Sequence, residues 1–254
     1  MWSFRELNYW LRQHQPRLRP DSYREASSEV LEQSWIPDLL ARQLSATSMR
    51  MSLFYRYLLE PSFWAPSGED LNILDIGCKN WTYASGLASW LCSKSKASIH
   101  LTGLECDPGR RYINLFRRGD VGRYHAQGVS THFERVQLSY EAGDWLKSSS
   151  QNYDLIFCFF PFIFQDLHKN WGLPDPMFRP EEFYAKCLRQ SSLMIFAHQG
   201  DDELVESRRL IDQVGGIIRQ EYRVDDNPFL KRKHRVWMLV WGSLPKPTSI
   251  TRIS

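Results

Sequence analysis

Two carboxylates stand at the ends of two short apolar runs in the first half of the chain. Residues 71–77 carry Asp75, and residues 101–107 carry Glu105. A helix-competent stretch lies between the runs, so together they predict a βαβ unit. Ligands of open parallel sheets bind outside the carboxyl ends of the strands. Because a carboxylate can accept hydrogen bonds from the hydroxyls of a ribose, this pair predicts a site for a nucleoside-containing cofactor.

The composition is that of an ordinary globular protein. The 254 residues are 43% hydrophobic and 24% charged, with a formal net charge of +3 that is too small to indicate nucleic acid. An odd number of cysteines without a C-x-x-C pair favours reduced thiols in the cytoplasm over disulfides or zinc. The start has no secretory pattern. The longest apolar run, of about ten residues, is too short to span a membrane.

From residue 71 onwards, strand and helix patterns alternate. We predict strands at 71–76, 98–104, 133–139, 153–159, 192–197, 217–224 and 235–241. We predict helices at 82–94 and 108–118, another beginning at Pro180, and another that opens at Asp201 or Asp202 and ends at Gly215. The strands joined by helices should be parallel with right-handed crossovers, and the last two should pair antiparallel. The expected fold is α/β, a seven-stranded, mostly parallel sheet with helices on both faces.

The first 60 residues show helical spacing in three segments. The second segment begins near Asp21, and the third runs from about residue 38 to 58, where Pro61 stops it. We therefore divide the chain into an N-terminal helical extension or lid (1–66), a cofactor-binding domain (67–243) and a tail (244–254).

The chain resembles the class I S-adenosylmethionine (SAM)-dependent methyltransferases over about residues 70–243. In that family the first strand ends in an acid and a Gly-rich turn, which matches residues 75–81, and the second ends in an acid, which matches Glu105. A later acid commonly contacts the adenine amino group, and Asp144 matches it. The resemblance implies SAM as cofactor, with these candidate binding residues: Asp75, Gly77, Cys78, Lys79, Asn80, Glu105, Cys106, Asp144, Trp145 and Phe160.

One part of this motif departs from the family. Lys79 and Trp81 stand where glycines are usual. A pyrophosphate needs close backbone approach, so the departure argues against a nicotinamide-dependent oxidoreductase. SAM has only a carboxylate and an amine at that end, and Lys79 is placed to pair with the carboxylate. The backbone N–H groups of the turn are further candidates to hold it.

Several candidates have an alternative structural interpretation. Asp75 is either a cofactor anchor or a helix cap, and Asp144 is either an adenine contact or a surface carboxylate. His168, His198 and Asp166 follow the fourth and fifth strands and are candidates for a general base, since histidine titrates near neutral pH. The alternative for these histidines is an ordinary loop residue. We expect no metal site.

Three functional hypotheses follow. The first is a SAM-dependent methyltransferase acting on an unidentified acceptor, with a small molecule favoured. The second is a non-catalytic binding protein, or nucleic-acid adaptor, that keeps the fold with a degenerate cofactor motif. The basic run at 231–235 suits phosphate contact, but such runs are usually solvated, so nucleic acid is not favoured. The oxidoreductase is the third and weakest. The sequence leaves the oligomeric state open.

Overall fold

The computed structural model describes residues 36–112, 115–225, 228–229 and 235–243. The helices are α1 Asp38–Gln43, α2 Ala46–Leu59, α3 Ala84–Lys94, α4 Arg118–Ser130, α5 Gln165–Asn170, α6 Pro180–Gln190 and α7 Asp201–Gln213. The strands are β1 Asp70–Ile76, β2 Ser98–Glu105, β3 Val136–Ala142, β4 Leu155–Phe159, β5 Met194–Gln199, β6 Ile217–Val224 and β7 Val236–Gly242. The first two predicted helices, the tail and most of the basic run lie outside these residues.

The strands of the described chain form one sheet in the order β3-β2-β1-β4-β5-β7-β6. β1 pairs in parallel with β2 and β4, β2 with β3, and β4 with β5, whereas β7 runs antiparallel to both β5 and β6. The predicted fold class, with its antiparallel C-terminal pair, is therefore confirmed. The strand order reverses between β1 and β4, which places a crevice at their carboxyl ends.

Apolar cores lie on both faces of the sheet. α2, α3 and α4 cover one face, where Leu58, Leu87 and Val129 are buried. α6 and α7 cover the other, where Tyr184 and Leu210 are buried. Every residue of β4 is buried, as its continuous apolar sequence predicts. In the described chain, no helix has the length and apolar character needed to cross a membrane.

The helical extension packs directly onto the sheet domain. The predicted third helix is two helices, because Ser45 interrupts it and caps α2 by accepting a hydrogen bond from the N–H of Ser48 at 3.1 Å. The hydroxyls of Ser52 and Ser85 lie 2.6 Å apart across the contact between α2 and α3. A Cβ on Gly86 would overlap the Ser52 carbonyl. This close approach makes α2 part of the main core.

The predicted helix at 108–118 is wrong. Most of that region is a loop closed by an antiparallel bridge between Arg111 and Arg117, and the helix α4 follows it. α4 contains three glycines in its 13 residues. Because glycine has a low helix propensity, the local sequence does not predict a helix there. Gly122 is explained by packing, since a Cβ there would overlap the ring of Tyr140. The third strand accordingly starts at Val136 rather than at 133.

Candidate functional site

A cavity of about 160 Å³ opens at the carboxyl ends of β1, β2 and β4. We call it the strand-end cavity. The strand ends form its floor, and residues from 159–184 form much of its wall. The candidate residues that line it are Gly77, Lys79, Glu105, Cys106, Asp144, Trp145, Phe160 and His168. The sheet therefore brings most of the predicted cofactor residues together at one edge.

The Glu105 carboxylate, at the end of β2, already has several protein partners. Its Oε2 accepts a hydrogen bond from the N–H of Lys79 at 2.8 Å, and its Oε1 accepts one from the N–H of Asp107 at 2.7 Å. The buried guanidinium of Arg118 donates to Oε1 at 3.1 Å. A carboxylate offers about four lone-pair positions. Glu105 thus ties three segments together and retains acceptor capacity mainly at Oε2.

The turn after β1 also uses its N–H groups within the protein. Gly77 and Cys78 both donate to the carbonyl of Leu104, at 2.8 and 3.3 Å, and Lys79 donates to Glu105. These three groups are therefore committed to β2 rather than directed at an anion. Cys78 and Asn80 do not line the strand-end cavity.

The two residues that replace the usual glycines adopt glycine-like backbone conformations. φ is +56° at Lys79 and +50° at Trp81, close to the +75° of Gly77. Non-glycine residues in this region carry strain on the order of 1–3 kcal/mol each. The turn thus keeps its left-handed conformation without the glycines, and contacts of the two side chains must compensate for the strain.

The side chain of Asp75 lies outside the strand-end cavity and is fully buried. Its Oδ2 accepts a hydrogen bond from the indole N–H of Trp81 at 2.8 Å. Burial raises the pKa of Asp75 to about 7, and the donors Tyr83 and Trp81 oppose this rise. The Trp81 ring rests on Gly103, where a Cβ would lie 2.9 Å from the ring. Asp75 therefore anchors Trp81 and makes no cap hydrogen bond to α3.

The segment after β3 contains Asp144 and Trp145, which both line the cavity. Asp144 Oδ1 accepts a hydrogen bond from the N–H of Leu146 at 3.0 Å and caps a short 3₁₀ turn. Its Oδ2 is buried and has no hydrogen-bond partner among the described residues. The nearest cation, Lys147 Nζ, lies 3.8 Å away. Beside it, the buried Trp145 ring lines the cavity. Asp144 thus lines the cavity and keeps one buried oxygen that makes no hydrogen bond to a described residue.

The three candidate bases lie in different places. His168 lines the strand-end cavity between the rings of Phe162 and Phe178, and burial lowers its pKa. His198 is fully buried in β5, away from the strand-end cavity, and burial lowers its pKa to about 3. It is therefore a neutral core histidine at pH 7. Asp166 is exposed on α5 and does not line the cavity.

Sequence reasoning missed the role of Trp171. Lys79 Nζ lies 4.7 Å from the centre of its ring, and the guanidinium carbons of Arg110 and Arg118 lie at 5.8 and 5.9 Å. Arg110 also donates to the Trp171 carbonyl at 3.1 Å. Cation–π contacts of this kind are attractive. They hold the segment that carries Trp171 against the turn after β1 and the region after β2, and no sequence spacing indicates these contacts.

No protein-family model matches the chain, and no curated protein matches it either. Among solved structures, a SAM-dependent methyltransferase from Aquifex aeolicus is 12% identical, with 81% of this chain and 97% of that one covered and a TM-score of 0.49. A TehB-like SAM-dependent methyltransferase from Corynebacterium glutamicum is 16% identical (87% and 100% covered, TM-score 0.43). A precorrin-6y C5,15-methyltransferase from Geobacter metallireducens is 15% identical (70% and 82%, 0.43). At these identities the likeness concerns the fold alone.

Proposed function

We propose that the chain is a SAM-dependent methyltransferase that binds SAM in the strand-end cavity and methylates a small molecule. The observation that carries this proposal is Asp144, which lines the cavity and has a buried Oδ2 that makes no hydrogen bond to any described residue. A buried acceptor without a donor is unfavourable, so a ligand that donates a hydrogen bond there is favoured. The amino group of adenine is such a donor.

The other residues of the cavity suit the remaining parts of SAM. Ile76, Leu104 and Trp145 give an apolar bed for a purine. Glu105 Oε2 has capacity for a ribose hydroxyl. The cations Arg118 and Arg179 on the same cavity suit a carboxylate, in place of the committed N–H groups of the turn. SAM, when bound, would supply a methyl group already activated on a sulfonium.

The protein's own contribution would then be placement and exclusion of water. The segment around Trp171 closes over the cavity through its three cation contacts. Holding reactants in contact can contribute roughly 7–11 kcal/mol to a barrier reduction. Of the candidate bases His168, His198 and Asp166, His168 is the one that lines the strand-end cavity. A cytoplasmic location stays a prediction.

Calorimetry with SAM on the full chain tests the proposal. Asp144→Ser keeps a capping hydroxyl for the 3₁₀ turn and removes the free oxygen. We expect it to weaken SAM binding roughly tenfold to a hundredfold, as for loss of a hydrogen bond to a charged group. Asp212→Ser, an exposed change on α7, is the matched control and should bind like the wild type. No binding of SAM to the wild type at millimolar concentration would overturn the proposal.

A second candidate is a non-catalytic protein that keeps the fold. The observation in its favour is that Glu105 and the N–H groups of the turn after β1 already make hydrogen bonds within the protein. It predicts a cooperatively folded wild type that does not bind SAM. The same calorimetry, paired with thermal unfolding, therefore distinguishes the two candidates.

A further inference from the structure

A second cavity, of about 330 Å³, lies beside the first. We call it the lateral cavity. It is bounded by α2, by the loop after β4, by α5 and by the ends of β5 and β7. Both cavities are lined by Lys79, Phe160, Pro161, Phe162 and Trp171. A ligand in the lateral cavity would thus meet a ligand in the strand-end cavity at these shared residues.

Five of the twelve residues that line the lateral cavity are aromatic. Phe54, Tyr55, Phe160, Phe162 and Trp171 all contribute to it. Aromatic walls pack favourably on flat rings, in stacked or edge-on geometry. The aromatic lining therefore suits a compact molecule that carries an aromatic ring rather than a folded macromolecule.

Two charged side chains line the lateral cavity, and they occupy different positions. Lys79 lies at the junction of the two cavities, and Glu203 lines the lateral cavity alone. Glu203 Oε2 is held by the N–H of Gln199 at 2.6 Å. Lys79 Nζ rests on the Trp171 ring and makes no hydrogen bond to any described residue. An ammonium has three donors, so Lys79 can donate to a ligand oxygen at the junction.

We propose that the lateral cavity binds a phenol as the methyl acceptor, with its hydroxyl oxygen against Lys79 Nζ. The role of the phenol as methyl acceptor rests on the proposed function, whereas its binding in the lateral cavity does not. A protonated amine would be repelled by the lysine charge, whereas a phenolate is stabilised by it. Lys79 is then a catalytic residue of the reaction.

The chemistry asked of Lys79 is one proton transfer. Its neutral amine takes the phenol proton: the O–H bond breaks, its electron pair stays on oxygen, and a new N–H bond forms. Burial, with a contribution from Arg118, lowers the pKa of Lys79, while Glu105 and Cys158 oppose the change. A larger neutral fraction of the amine is therefore present at pH 7 than for a free lysine. The resulting ammonium then pairs with the phenolate.

The test uses 4-nitrophenol and the full chain without SAM, because ionisation of this phenol changes its absorbance. At a pH below the probe's own pKa, the wild type should bind it as the coloured nitrophenolate. Lys79→Gln should bind it roughly tenfold to a hundredfold more weakly and without the colour. Leu167→Trp, a partly exposed site on the lateral cavity alone, should fill the cavity and abolish binding. Lys96→Gln, an exposed lysine between α3 and β2, is the charge-matched control.

Calorimetry with SAM on the same variants separates the two proposals. Nitrophenolate binding without SAM binding keeps the lateral site and ends the proposed function. SAM binding without any nitrophenol binding overturns the lateral site alone. Weakened SAM binding in Lys79→Gln, with nitrophenol binding unchanged, assigns the lysine to the cofactor and also overturns the inference. Leu167→Trp should retain SAM affinity.

Discussion

The turns after β1 and β3 use similar residues at the same edge of the sheet, but of their two aspartates only Asp144 lines the strand-end cavity. Each region combines a glycine, an aspartate and a tryptophan. After β1, the Trp81 indole donates to the buried Asp75, and the N–H groups of the turn donate to β2. After β3, Asp144 caps a short turn with one oxygen and leaves the other without a partner.

The difference shows which polar groups remain for a ligand. Buried polar groups in proteins are almost always hydrogen-bonded. The N–H groups of the first turn donate within the protein, and Asp75 lies outside the strand-end cavity, although its Oδ1 also has no hydrogen-bond partner among the described residues. Asp144 lines the cavity and has one oxygen without a hydrogen bond, so the second turn is the better place to look for a ligand contact. The sequence motif alone favours the first turn, because Asp75 is followed by Gly77.

The largest effect expected on the first turn concerns the charge of Asp75. Its pKa is about 7 in the folded state against 3.8 for the ordinary group. Between these values the native state holds a proton that the unfolded chain releases, so this group's contribution to stability is present at low pH and is lost as pH rises to about 7. The full shift corresponds to on the order of 4 kcal/mol.

Asp75→Asn keeps an acceptor for Trp81 and removes the titration. Between pH 4.5 and pH 8, we expect the free energy of unfolding of the wild type to fall by on the order of 3 kcal/mol relative to that of the variant, as measured with urea. Asp212→Asn, on the exposed face of α7, should follow the wild type. Parallel pH profiles for wild type and Asp75→Asn would mean that Asp75 is ionised in the fold, and the turn would then hold a buried charge.

A second prediction concerns the buried ion pair between Glu105 and Arg118. Arg118→Met removes the guanidinium and leaves a buried carboxylate with its backbone donors. Removing one partner of a buried pair typically destabilises by 3–5 kcal/mol, and because the backbone donors remain we expect about 3 kcal/mol. Urea unfolding at pH 7 measures it. Arg123→Met, which breaks the exposed pair with Asp120 on the same helix, should leave stability nearly unchanged. Equal effects from the two variants would contradict the structural role of Glu105.

Much of the fold follows from sequence pattern. The apolar run of β4, Pro180 at the start of α6 and the acids that open α7 are local signals, and all three elements form as predicted. The sequence does not predict α4 because the helix contains three glycines, of which Gly122 packs against Tyr140 of β3. Tertiary contacts outweighed local preference there.

The site was predictable only in outline. Sequence places Asp75 and Glu105 at neighbouring strand ends, and the structure confirms that placement. It does not reveal which oxygens are already bonded, because the partner of Glu105 is Arg118, thirteen residues away after an irregular loop. Nor does it reveal Trp171, which meets its cations only through the fold. Contacts of this kind depend on loop conformation, for which no periodic pattern exists.

The smallest predicted effect tests the backbone of the first turn. Gly77 has φ of +75°, and a Cβ there would meet no atom within 4 Å. Gly77→Ala therefore introduces backbone strain without a clash, and we expect it to destabilise by about 1 kcal/mol. Gly128→Ala, within α4 and equally free of neighbours, should instead stabilise by up to about 1 kcal/mol, because alanine favours the helix. Urea unfolding at pH 7 gives both values.

If Gly77→Ala proves as stable as Gly128→Ala, the turn can relax from its left-handed conformation, and Lys79 and Trp81 then need not be strained. A clear difference in the expected direction would instead mean that the left-handed turn is rigidly held, with the side chains of those two residues supplying the compensation.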